Sequence, residues 1–143
     1  MNIKIKRFDK DLSLPKYQTE GAAAFDLTAR ETVTIEPGAI GYVPLNVALE
    51  TPADHFLLIA ARSGTHKKGL MMANGIGIVD PDFRGDSDEM KAAYYNFTGQ
   101  PVIIEKGNRI AQGTFVKISK IEWDEVEKLN HKARGGFGST GHK

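Results

Sequence analysis

The sequence contains no cysteine, which excludes disulfides, thiolate metal sites and a cysteine nucleophile, and leaves packing alone to hold the chain together. A surplus of charge is also missing. Nineteen lysines and arginines against 18 acidic residues give +1, too little for bulk attraction to a polyanion or an anionic membrane, so neither nucleic acid nor membrane is an expected partner and any anion site is local. Long apolar runs are absent. The longest, Phe56 to Ala61, falls far short of the ~20 residues a membrane-spanning helix needs. The opening MNIKIKRFDKDL alternates charge with isoleucine and has no apolar signal core or small-residue cleavage site, so it reads as a mature, intracellular, cytoplasmic start. Without a secretion signal, the Asn-x-Thr triplet at Asn96 reads as a chance match inside a strand.

What is present is β-sequence. In a chain of 143 residues, one domain's worth, apolar and polar residues alternate at Ile3 and Ile5, Val33 and Ile35, Val47 and Leu49, and Val116 and Ile118. Turn clusters such as Glu36-Pro37-Gly38 and Glu105-Lys106-Gly107-Asn108 lie between them, where proline presets φ and glycine accepts positive φ. Short strands joined by turns predict an all-β sandwich or barrel. TIEPGAIGYVPLNVAL and IIEKGNRIAQGTFVKI share an Ile-Glu-x-Gly turn followed by a strand, which reads as a reused hairpin. Asn74-Gly75, between apolar flanks, signals another hairpin. Helix is expected only at Ile121 to Leu129 and, more weakly, at Asp88 to Tyr95. The glycine-rich end has too few large apolar residues for a core, so residues 1–130 read as the body and 131–143 as a flexible arm.

Several familiar motifs fail on inspection. GTHKKGLM has Leu70 and Met71 where a phosphate-binding P-loop needs lysine and a hydroxyl, and GIGIVD is followed by no helix to complete a dinucleotide fingerprint. In DPDFRGDSDEMK, Arg84 and Lys91 occupy calcium-ligand positions. His55, His66, His131 and His142 lack metal spacing, and no Gly-x-Ser-x-Gly elbow occurs.

Five polar, glycine-punctuated segments remain: AAAFDL (22–27), ARSGTHKKGL (61–70), NGIGIVDPDFRGD (74–86), GNRIAQG (107–113) and RGGFGSTG (134–141). In this order they resemble the five motifs of the homotrimeric dUTP diphosphatases, or dUTPases, across nearly the whole chain. The resemblance implies a β-clip or distorted jelly-roll barrel, a homotrimer, and Mg²⁺-assisted attack of water on the α-phosphate of dUTP, giving dUMP and pyrophosphate. The ordered set, ending in GGFGSTG, carries this. Each segment alone is weakly specific.

By resemblance, Asp80 is the general base that contacts the deoxyribose 3′-hydroxyl and activates water. Its own sequence context is compatible, because a carboxylate between the strand IGIV and Pro81 is fixed at a strand end and partly shielded, although Asp-Pro-Asp is also a common surface turn. Phe83 stands where the family usually has tyrosine beneath the sugar. Asn74 and Gly77 belong to the hairpin that the resemblance places against the uracil edge. Asp26 is the implied contact to Mg²⁺ through water, and read alone it is an edge or turn residue.

Arg62, Ser63 and Gly64 leave the apolar run FLLIAA together, so a guanidinium and a hydroxyl emerge at a strand end, and the resemblance assigns them to phosphate. Gln112 is assigned to phosphate as well; on its own it equally reads as a cross-strand hydrogen bonder. Arg109 reads as a structural ion-pair partner, and Lys68 matches a motif lysine that could equally lie on a solvated face with His66 and Lys67. In the arm, Phe137 is flanked by glycines, useless for a core and well placed to lie on a base, while Gly138, Ser139, Thr140 and Gly141 can cradle phosphates. Arg134 lies three residues before Phe137, and Lys132 occupies the position where the family usually has arginine. Two alternatives stay open at this point: a dCTP deaminase of related fold, and a non-catalytic regulatory protein that binds dUTP.

Overall fold

The computed structural model describes residues 1–141; His142 and Lys143, the end of the expected arm, lie outside them. The strands are β1 (Ile5–Arg7), β2 (Phe25–Thr28), β3 (Val33–Ile35), β4 (Ile40–Pro44), β5 (Val47–Leu49) and β6 (His55–Ala61). A 3₁₀ turn (Thr65–Lys68) precedes β7 (Leu70–Met72), β8 (Gly77–Val79), β9 (Lys91–Asn96), β10 (Val102–Ile104) and β11 (Arg109–Lys117). They form four antiparallel ladders, β2-β11-β6-β8, β4-β9-β7, β3-β10 and β1-β5. The all-β expectation holds. The ladders do not close into a barrel; they wrap a core that includes Leu27, Ile35, Leu45, Leu57, Leu70, Met90, Tyr94 and Ile110, all buried.

The two similar sequence stretches form an exchanged pair. Strands β2-β3-β4 and β9-β10-β11 swap partners, so that β2 pairs β11, β9 pairs β4, and β3 pairs β10. Both Ile-Glu-x-Gly turns close in the same way, Ala39 N–H donating to Glu36 O at 3.0 Å and Asn108 N–H to Glu105 O at 2.9 Å, with Gly38 and Gly107 at φ 71° and 87°. Positive φ is what demands glycine at the third turn position. Even the outer contacts repeat: Gly38 N–H donates to Asn96 O and Gly107 N–H to Ala29 O. The reuse predicted from sequence is therefore present, but each turn links strands of different ladders and is not a hairpin.

The Asn74-Gly75 turn differs likewise. Gly75 adopts φ 73° as the turn requires, yet β7 pairs with β9 and β8 with β6, so the turn carries the chain from one sheet to another. Turn chemistry fixes a reversal of direction; which strands then pair is decided by distant partners. Both expected helices are absent. Lys91–Asn96 is strand β9, alternating exposed and buried, because period-two burial of Ala92, Tyr94 and Asn96 prevails over the helix preference of its alanines. From Ile121 to Leu129 there is no regular structure. Ile121, Trp123, Val126 and Leu129 are 64%, 89%, 51% and 79% exposed, and a short helix with no surface to pack on does not stand alone. Asn96 of the Asn-x-Thr triplet is fully buried, its amide donating to the carbonyls of Ile35 and Gln100.

The β4-β9-β7 and β2-β11-β6-β8 sheets meet at Tyr94, whose buried hydroxyl donates to the carbonyl of Ile110. Burial pushes this phenol well above its ordinary value of 10.0. A raised folded-state value means that the stabilisation is complete below pH 10 and lost as pH rises, because only the unfolded chain ionises there. Tyr94→Phe leaves a buried acceptor unpaired, so a loss of about 1–3 kcal/mol is expected in urea unfolding at pH 8. The difference from wild type should narrow above pH 10.

Candidate active site

Strand β11 lies between β2 and β6, and its register places Gln112 opposite both Asp26 and Ala60. Directly opposed residues in an antiparallel pair project to the same face. A bulge follows: Ala111 opposes Leu27 while Arg109 opposes Thr28, so one extra residue, Ile110, sits in β11. This insertion turns Arg109 onto the face that carries Asp26 and releases the Ile110 carbonyl to Tyr94. Arg62, just past the end of β6, comes to the same place. Asp26 is 8% exposed, and each of its oxygens holds one guanidinium: Oδ1 accepts from Arg62 Nε at 2.9 Å and Oδ2 from Arg109 Nη1 at 3.2 Å. Arg109 is thus in the ion pair expected of it.

Arg62 also donates from Nη1 to the carbonyl of Arg109 at 3.3 Å, and Gln112 Nε2 donates to the carbonyl of Ala61 at 2.9 Å. The cross-strand bond foreseen for Gln112 is present and leaves its amide oxygen for other partners. Ser63 and Gly64 are exposed immediately beyond, where Thr65 N–H closes the turn onto the carbonyl of Arg62. Arg62, Ser63, Gly64, Gln112 and Asp26 are therefore brought together. Lys67 and Lys68 are exposed on the 3₁₀ turn with His66.

Asp80 and Phe83 lie elsewhere. They face a groove of about 510 Å³ with Ile78, Glu89 and Met90, and Asp80 is exposed, with none of the expected shielding by its own chain. Sequence reasoning missed Glu89 as a lining residue because it read this stretch as helix. Glu89 is fixed by Arg30, at 2.6 and 3.0 Å, and by the backbone N–H of Asn46, and the carboxylate holds the Arg30 guanidinium above its ordinary value. Asn74 is exposed on the turn before β8. Gly77 opposes Ile59, where a Cβ would come within 3.2 Å of the isoleucine Cβ, so glycine lets β8 lie close on β6.

The register of β8 on β6 gives the separation of these two groups. Val79 opposes Leu57, which sets Asp80 beside Phe56, six residues along the strand from Arg62. At ~3.3 Å per residue that is about 20 Å. The arm is apart from both. Residues 131–141 are exposed throughout, and Phe137 lies wholly in solvent in a turn closed by Ser139 N–H on the carbonyl of Gly136. Phe137 has φ 52°, a left-handed conformation that bulky residues rarely adopt. The side chains of Arg134, Ser139 and Thr140 make no hydrogen bond or salt bridge among the described residues. No group of three or more histidine or acidic side chains among the described residues could hold a metal ion.

This all-β chain has relatives among known proteins. A sequence model of the dUTPase family matches residues 10–141. A deoxyuridine 5'-triphosphate nucleotidohydrolase of Helicobacter pylori strain P12 is 40% identical over 146 residues, covering 99% of this chain and 97% of the relative. The crystal structure of dUTPase from Streptococcus mutans superposes with a TM-score of 0.75 at 31% identity, over 83% of this chain and 98% of that one. The dUTPase of Staphylococcus bacteriophage 80alpha, solved with dUPNHPP, shares the fold with a TM-score of 0.86 at 24% identity, over 99% of each chain. The chain belongs to the dUTPase family.

Proposed function

We propose that this chain is a dUTP diphosphatase, hydrolysing dUTP to dUMP and pyrophosphate in sites built between copies of itself. The observation that carries the reading is the pair of half-sites about 20 Å apart on β6, which a single nucleotide cannot bridge at its α-phosphate. One copy supplies Asp80 as base, Phe83 beneath the deoxyribose and the Asn74–Gly77 segment at the uracil edge. A neighbour supplies Arg62, Ser63, Gly64 and Gln112 to the phosphates. The described part of the arm, residues 131–141, closes over the nucleotide, with Phe137 on the base and Arg134, Gly138, Ser139 and Thr140 at the phosphates.

Assembly as a homotrimer is supported by apolar surface that one chain leaves open. Ile40, Tyr42 and Met71 point outward from the β4-β9-β7 sheet at 57%, 68% and 53% exposure, and the segment from Ile121 to Leu129 offers a second uncovered set. Mg²⁺ fits this site as an ion brought in on the triphosphate. Asp26 already holds two guanidinium groups, so it fits contact through a metal-bound water by its remaining lone pairs and does not fit direct coordination. When bound, the ion neutralises phosphate charge. Among the described residues no helix is long and apolar enough to cross a membrane; the proposed setting is the cytoplasm.

Hydrolysis in ¹⁸O-labelled water tests the reaction. Label appearing in dUMP supports attack at the α-phosphorus, and label in pyrophosphate contradicts it. Binding of dUTP without turnover would instead mark a regulatory protein.

A further inference from the structure

Arg109 has no place among the groups assigned to the nucleotide, yet the bulge at Ile110 sets it onto the face of Asp26. Its guanidinium neutralises one carboxylate oxygen at 3.2 Å, and its carbonyl accepts from Arg62 at 3.3 Å. Asp26 in turn holds Arg62 by Nε at 2.9 Å. These two contacts occupy Nε and one hydrogen of Nη1 on the Arg62 guanidinium. Its Nη2 group and the second Nη1 hydrogen remain for a ligand, and their direction is set by the clamp.

We propose that Arg109 and Asp26 form a positioning pair that aims Arg62 at the phosphates, a role for Asp26 that does not depend on the metal. The inference rests on the phosphate-binding role given to Arg62 above. Asp26 alone, carrying one guanidinium, would be free to rotate in its niche; with one arginine on each oxygen its plane is fixed. Arg109 is half exposed, 48% by side chain, so its replacement leaves the core intact.

The consequence is coupling. Arg109→Gln should raise KM for dUTP about ten- to hundredfold with a smaller effect on kcat, since a misdirected phosphate donor loses geometry, and Arg109→Lys should recover most of the loss. In an Arg62→Gln background the same change should add less than about twofold, because its effect passes through Arg62. The half-saturating Mg²⁺ concentration should stay at the wild-type value in Arg109→Gln. Calorimetric binding of the imido analogue dUpNHpp in EDTA provides a readout without turnover or metal: wild type binds, and Arg109→Gln binds at least about tenfold more weakly. Wild-type binding with unchanged binding by Arg109→Gln overturns this inference alone, as do additive effects of Arg109→Gln and Arg62→Gln. A wild-type chain that binds neither dUTP nor its analogue overturns the functional reading itself.

Discussion

Asp80→Asn should lower kcat for dUTP by about 10² to 10⁴, the usual contribution of a positioned general base, while KM moves only a few-fold. The geometry isolates this effect from folding. Asp80 follows strand β8 and is exposed, its backbone carbonyl accepts from Phe83 N–H at 3.1 Å, and its carboxylate takes part in none of the hydrogen bonds among the described residues. Replacing it by the isosteric amide keeps the turn and removes the basic oxygen, so stability should change by no more than about 0.5 kcal/mol. Steady-state pyrophosphate release and thermal unfolding on the same preparations check both halves. A variant with near-normal kcat would remove Asp80 from the chemistry.

The second large effect is discrimination between bases. Strand β8 is the edge of its sheet and pairs only with β6, so its outer backbone edge, from Gly77 to Val79, is available to a ligand beside the exposed turn at Asn74. Uracil offers an N3 donor and an O4 acceptor, whereas cytosine reverses both. A backbone edge matched to the first leaves buried groups unpaired with the second, which is worth about 10⁴ to 10⁵ in kcat/KM. Competition of dUTP with dCTP in one reaction measures the ratio directly. Turnover of dCTP within tenfold of dUTP would exclude this mode of base reading, and thymine should be refused by crowding at its methyl group.

The strands were legible wherever one face is buried. Val33 and Ile35, Val47 and Leu49, and Val116 alternate in sequence and lie in strands, and the two Ile-Glu-x-Gly turns read as a reused hairpin do recur, though each links strands of different ladders. Errors arose where a local signal was asked for a non-local answer. Asn74-Gly75 specifies a reversal but not a partner, and the alanines of β9 favour helix until Tyr94 is seen in the core. The site shows a deeper limit: Asp26, Arg62 and Gln112 converge through the register of β11 with β2 and β6, which no spacing in the chain encodes. Nor does spacing state that Asp80 lies at the opposite end of β6. The bulge at Ile110, which brings Arg109 to Asp26, left no mark in GNRIAQG.

Whether Asp80 and Arg62 act together across two copies of the chain is decided by mixing. Asp80→Asn and Arg62→Gln are each prepared, then refolded together from urea in equal amounts. If every site joins Asp80 of one copy to Arg62 of another, half the copies supply each intact group and about a quarter of the sites regain both, so the mixture should recover about a quarter of wild-type activity. Activity no greater than the mean of the two separate variants would mean that each chain works alone, and would contradict the account.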